Sequence, residues 1–169
     1  MRKGETGFNE YYGDLFGGRW PTLYQALTEG PMYAEISQNL LKPYFLDPAS
    51  RAVAGLLPVS AGDKILDMCA APGGKTLVLS QKMGESTTLV ANERSATRRS
   101  RLHRVLDEHL PPAVRSRVRV TGHDARKWGL FEPNRYHAIL ADVPCSAERH
   151  QASQPKLLER WNEQRVRRI

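Results

Sequence analysis

Cysteine is scarce in this chain of 169 residues, which carries two, Cys69 and Cys145. That excludes a disulfide framework and a Cys-rich zinc site, so no metal is expected and any thiol chemistry must come from this pair. Long apolar runs are missing as well; none approaches the roughly 18 residues that a membrane-crossing helix needs, so no membrane partner is expected. The opening Met-Arg-Lys-Gly-Glu-Thr-Gly leads into acidic and aromatic residues where a secretory signal would be apolar, which makes the cytoplasm the expected compartment. There is no internal repeat and no low-complexity tract. Hydrophobic residues at 40% and charged residues at 25% are ordinary globular values, and the length suits one domain.

Acidic residues run short in one half. Residues 94–169 hold 17 Lys+Arg against 8 Asp+Glu, a balance of +9, whereas residues 1–93 hold 8 against 10, a balance of −2. A surplus of this kind suits a polyanionic partner, although solvated helix faces account for part of any such surplus. The arginines at 94, 98, 99, 101 and 104 fit a solvated helix face better than a phosphate-binding one.

What is present is a regular alternation. Residues 1–45 read as a helical lead-in, with a short helix around Arg19–Leu27 that has Pro21 near its first turn. Asp47-Pro48 offers a cap and an N1 proline for a helix ending before Pro58. Strands are expected at 64–69, 87–93, 117–124 and 137–143. Between them come a helix over 76–82 and a longer one capped by Ser95 and ended by Pro111-Pro112. The apolar spacing at 157, 158 and 161 suggests a helix within 155–169. Strands alternating with helices imply an α/β fold, its sheet mostly parallel, with helices on both faces and ligands at the carboxyl ends of the strands.

The segment Asp67-Met68-Cys69-Ala70-Ala71-Pro72-Gly73-Gly74-Lys75-Thr76 occupies the place of a ligand loop, between the first strand and the first helix of that sheet. Small residues there let the backbone approach a ligand closely. Glu93 ends the next strand 20 residues after Gly73, the spacing at which an acid reaches the two hydroxyls of an adenosine ribose. A phosphate-binding P-loop competes, because Gly74-Lys75-Thr76 matches the end of that motif. Against it, Cys69 stands where the first glycine belongs and Pro72 removes an amide from the phosphate nest.

Together with Tyr44-Phe45-Leu46-Asp47-Pro48-Ala49-Ser50 and Ala141-Asp142-Val143-Pro144-Cys145-Ser146, this loop resembles the Sun/Nop family of S-adenosylmethionine-dependent RNA cytosine-C5 methyltransferases. The resemblance implies a Rossmann-like class I methyltransferase sheet in strand order 3-2-1-4, with residues 46–169 a partial domain of that kind. It implies S-adenosylmethionine as cofactor and ribosomal or transfer RNA as partner. The loop Cys69, Ala70, Ala71, Pro72, Gly73, Gly74 and Lys75 would cradle the methionine part of the cofactor, and Glu93 would take the ribose. Asp124 would accept from the adenine amino group, and Asp142 would sit between cofactor and target base.

In the family, one cysteine of a Pro-Cys motif assists product release and a later Thr-Cys cysteine adds to C6 of the base. Cys145 matches the first; no cysteine follows it in these 169 residues. The chain therefore reads as a truncated member lacking the family's C-terminal strands, which leaves the fourth strand at an edge. Two outcomes stay open: a module that binds the adenosyl ligand or RNA without turnover, or an enzyme in which Cys145 itself is the nucleophile. Cys69, inside the loop, reads as a small buried hydrophobe.

Overall fold

The computed structural model describes residues 2–30 and 32–166, the side chain of Arg165 excepted. Its elements begin with α1 (Gly4–Phe16), α2 (Trp20–Thr28), β1 (Ala34–Ile36), β2 (Tyr44–Leu46) and α3 (Pro48–Leu56). Then follow β3 (Lys64–Asp67), α4 (Gly74–Ser80), β4 (Thr88–Asn92), α5 (Ala96–His109), α6 (Pro112–Arg115) and β5 (Val118–Thr121). Last come α7 (Trp128–Phe131), β6 (Ala138–Leu140), α8 (Glu148–Ala152), α9 (Pro155–Leu158) and α10 (Glu163–Val166). They sort into two compact units, one made of residues 32–143 and the other of 1–31 with 144–169.

The first unit is the alternating α/β sheet. Its strands lie in the order β5-β4-β3-β6, all parallel, which is the expected 3-2-1-4 in the sheet's own count. Register explains the two faces. Ile65 and Leu89 pair side by side and point with Ala91 into an aliphatic core closed by Leu77 and Leu79 of α4 and Leu102 and Leu106 of α5. The alternate residues Leu66 and Val90 point the other way, onto Trp128 of α7. Ile139, paired with Leu66 on that second face, is 47% exposed. β6 lies at one end of the strand order.

Caps fall where the sequence put them. The Asp47 carboxylate accepts from Ser50 N at 2.8 Å, with Pro48 in the first turn of α3, and Ser95 Oγ accepts from Arg98 N at 3.5 Å at the start of α5. The antiparallel ribbon β1–β2, pairing Ala34 with Leu46, and the short α6 are additions to the expected elements.

The second unit joins the two ends of the chain. Phe8 is fully buried between Tyr12, Trp20 and Trp161, with ring centroids 4.7, 5.6 and 5.5 Å away. Gly4 N donates to Trp161 O at 2.9 Å, and Lys3 bridges antiparallel to Asn162. This bridge corrects the expected helix within 155–169. That stretch is α9, a turn through Trp161, and α10, because the backbone at 161–162 leaves the helical path to pair with residues 3–4 while Leu158 and Trp161 enter the aromatic core. Residues 167–169 of the expected helix lie outside the described residues.

Candidate cofactor site

The loop after β3 is pinned on both sides. Met68 N donates to Leu140 O on β6, and Ala70 N donates to Asn92 O on β4, each at 2.8 Å. The Ala71–Pro72 peptide is cis. Gly73 holds φ at +122°, and a Cβ built there would stand 2.9 Å from Val105 Cγ1; one built on Gly74 would stand 3.0 Å from Tyr44 Cε1. Gly73 is therefore demanded by its backbone and by packing against α5, and Gly74 sits tight against β2, reasons separate from the close ligand approach that the sequence suggests.

Asp67 is fully buried at the end of β3. Its Oδ2 accepts from Thr76 Oγ1 at 2.7 Å, while Oδ1 has no hydrogen-bond partner among the described residues. Burial pushes its carboxyl up to about 6, with the Thr76 hydrogen bond working against the rise. Lys75 turns its ammonium onto Ser50 Oγ at 2.6 Å and onto Asp142 Oδ2 at 2.8 Å, tying α3, the loop and the end of β6 together. A cavity of about 180 Å³ opens here, lined by Cys69, Ala70 and Ala71 with Asp47, Lys75 and Asp142. With two carboxylates on its wall, and its one lysine already paired to one of them, it suits a ligand portion bearing an amine and repels a polyphosphate. The P-loop reading does not fit this geometry. A larger cavity of about 600 Å³ lies around Lys64, Thr88 and Val118, at the amino ends of the strands and away from these residues.

Glu93 is buried at the carboxyl end of β4; one oxygen accepts from Ser95 N at 2.8 Å and the other lies 3.4 Å from Arg98 Nη1. Asp124, past the end of β5, is gripped by Arg126 Nη2 at 2.7 Å with Arg94 at 3.4 Å, and the Arg126 hydrogen bond holds its carboxyl well below the usual range. Asp142, beyond β6, remains half-exposed. Glu93, Asp124 and Asp142 thus stand at the carboxyl ends of three parallel strands of one sheet, around the loop after the fourth.

Sequence reasoning missed the residue that binds these strand ends. Asn92, 1% exposed, donates through Nδ2 to Met68 O and His123 O at 3.0 Å each. Its Oδ1 accepts from Thr121 Oγ1 at 2.9 Å and from His123 N at 2.8 Å. All four of its hydrogen-bonding capacities are filled, which fixes the β3 loop and the approach to Asp124 against β4. The one signal available in sequence was its place directly before Glu93.

Cys145 belongs to the other unit. It is exposed, in an irregular stretch before α8 where Ala147 holds φ at +59° and the Ser146 carbonyl accepts from the buried Gln151 side chain. Tyr12 OH donates to Glu148 Oε1 at 2.7 Å and anchors the helix that follows. Arg149 and His150 are exposed. Cys69 is half-buried, and burial pushes its thiol up, with Glu93, Asp67 and Asp142 adding to the rise, so it is a poor nucleophile. Among the described residues no group of three His, Cys, Asp or Glu side chains is placed to hold a metal ion.

Residues 54–169 match the family described as 16S rRNA methyltransferase RsmB/F. The chain belongs to the RsmB/F methyltransferase family. The likeness read from Asp67–Thr76 is borne out by it. The chain is similar to 5-cytosine rRNA methyltransferase NSUN4 of Bos taurus, at 48% identity over 116 residues, 68% of this chain and 30% of that protein. It is also similar to Ribosomal RNA small subunit methyltransferase F of Salmonella choleraesuis, at 32% over 133 residues, 75% of this chain and 26% of that protein. The chain thus spans less than a third of the length of these curated relatives. Among solved structures, PH0851 superposes with a TM-score of 0.79 at 17% identity, covering 98% of this chain and 47% of that one. NSun6 from Pyrococcus horikoshii, solved with SFG, superposes with a TM-score of 0.60 at 25% identity, covering 78% of this chain and 32% of that one. Both place the RsmB/F chain in a Rossmann-like α/β fold, as expected.

Proposed function

We propose that this chain carries the cofactor half of an S-adenosylmethionine-dependent methyltransferase acting on cytosine C5 of RNA. The observation that carries the reading is the convergence of Glu93, Asp124 and Asp142 on the loop Cys69–Lys75 at the carboxyl ends of neighbouring parallel strands. Ribosomal RNA is the substrate proposed first, since the NSUN4 and F-type relatives are named for it; transfer RNA comes second, from a zebrafish (Danio rerio) relative named for tRNA cytosine 34, 40% identical over 114 residues. The cytoplasm is the compartment proposed. No described helix is long and apolar enough to cross a membrane.

The donor set fits the cofactor. Cys69, Ala70 and Ala71 line the wall for its methionine portion, and the carboxylate of Asp142, oriented by Lys75, faces an amine. Pro72, Gly73 and Gly74 shape the turn that sets this wall. Glu93 takes the ribose hydroxyls through lone pairs left free by Ser95 and Arg98. Asp124, kept ionised by Arg126, accepts from the adenine amine. When bound, S-adenosylmethionine supplies an electrophilic methyl group. Cys145 is the thiol proposed to act at the target base, and its exposure leaves it open to a base drawn out of its stack.

A second reading, a cofactor- or RNA-binding module without turnover, is favoured by one feature: no Thr-Cys pair occurs in these residues. Calorimetry with S-adenosylmethionine, followed by labelled methyl transfer to bulk ribosomal RNA, separates the two. Binding lost in Glu93→Ala is expected. Transfer that disappears in Cys145→Ser would establish an enzyme, binding without transfer would establish a cofactor-binding module, and absence of cofactor binding by the unmodified chain would refute both of these.

A further inference from the structure

Arg98 touches two separate parts of the candidate site. Its Nη2 donates to the carbonyl of Ala71 at 2.8 Å, and its Nη1 stands 3.4 Å from Glu93 Oε2. Ala71 belongs to the loop after β3 and Glu93 to the end of β4, so a single planar guanidinium spans the two. Its neighbour Arg99 holds the same strand end by the main chain, donating from Nη1 to Glu93 O at 2.8 Å and to Arg94 O at 3.1 Å. Gly122 leaves the room for this, since a Cβ there would lie 2.6 Å from Arg99 Nη1. Of the two arginines, Arg98 is the one bonded to the loop.

We infer that Arg98 is a positioning residue that holds the Cys69–Lys75 loop in register with Glu93, so that both halves of one ligand are met together. The inference rests on the cofactor reading above. A ligand that spans two half-sites binds tightly when their separation is fixed beforehand, because the second contact is then made at high effective concentration. The fork geometry of a guanidinium fixes such a separation; a lysine ammonium, a point donor on a flexible stem, does not. The side chain of Arg98 is 53% exposed, so its ion pair with Glu93 adds little to folding stability. Its effect is on the relative placement of two groups already folded.

That separates positioning from simple support in one experiment on the 169-residue chain. Calorimetric titrations with S-adenosylhomocysteine, which spans both half-sites, are compared with titrations with adenosine, which reaches Glu93 and not the loop. Arg98→Gln is expected to weaken S-adenosylhomocysteine at least ~10-fold and adenosine less than ~3-fold. Arg98→Lys, which keeps the charge beside Glu93, is expected to restore adenosine binding and leave S-adenosylhomocysteine weakened. Arg104→Gln, on the exposed side of α5, controls for loss of a positive charge and should change neither. Equal losses for the two ligands, or no loss, would overturn the inference while leaving the cofactor reading intact. Failure of the unmodified chain to bind either ligand would overturn both. A fall in thermal midpoint beyond about 5 °C in both Arg98 variants would make the residue structural and refute positioning.

Discussion

The two units are held by opposite means. In the sheet unit, hydrogen-bonded ladders run between strands adjacent in the fold, and the core is aliphatic, with Ile65, Leu77, Leu79 and Leu89 fully buried. In the end unit, one isolated bridge joins residues 3 and 162, and the core is aromatic, built on Phe8, Tyr12, Trp20 and Trp161. The first unit spreads its stability over many small contacts, whereas the second concentrates it in a few rings. The residues proposed for the cofactor lie in the first and Cys145 in the second. Ligand binding and thiol chemistry are therefore open to separate disruption.

The sharpest way to break this contrast is Trp161→Ala, which removes a ring in contact with Phe8, Tyr11 and Tyr12. A loss of about 4 kcal/mol is expected, confined to the end unit. Hydrogen exchange should find amides of residues 5–16 deprotected while those of 65–67 and 89–92 stay slow. Next in size is Asn92→Ala, which leaves the Met68 and His123 carbonyls and the His123 amide without their side-chain partner. About 3 kcal/mol of chemical stability should be lost, and adenosyl-ligand binding should fall with it, without faster exchange around Phe8.

The smallest effect is a pH dependence. The Asp67 carboxyl is raised from 3.8 to about 6 by burial, so the folded chain holds its proton more tightly than the unfolded one. Its contribution to stability is full below pH 4 and fades as pH rises toward 6. Relative to Asp67→Asn, the unmodified chain should lose about 2 kcal/mol between pH 4.5 and pH 7, read from urea midpoints at each pH. A constant difference across that range would show that Asp67 is not buried as a carboxyl.

How far the sequence could be read follows the same division. Strands 64–69, 87–93, 117–124 and 137–143 were legible because each is an apolar run bounded by turn residues, and the structure trims each by a few positions. Asp47 and Ser95 announced their helices as capping residues do. β1 and β2 are three residues each and pair antiparallel, too short for any period to register. α1 carries Gly4, Gly7 and Gly13, which weaken its helical pattern, and its aromatic face finds partners near residue 161. The break at Trp161 is a tertiary override, invisible to local spacing. In the site, Glu93 and the loop were legible from their spacing, while Asn92, Ser50 beside Lys75, and Arg98 beside Ala71 act across 24 to 27 positions of sequence.

The bridge from Lys3 to Asn162 also sets an order in time. The ladder of β3 to β6 can form once β6 has left the ribosome, but Phe8 must wait for Trp161, which at about 5–20 residues per second is a delay on the order of ten seconds after Phe8 itself is made. Nascent chains arrested before and after Trp161 clears the exit tunnel should differ in one respect, protease cleavage within residues 4–28 in the earlier ones alone. During synthesis the first helices thus present Phe8, Tyr12 and Trp20 without their partner ring while the β5-β4-β3-β6 ladder forms, and the segment that covers them is made about 150 residues after Phe8.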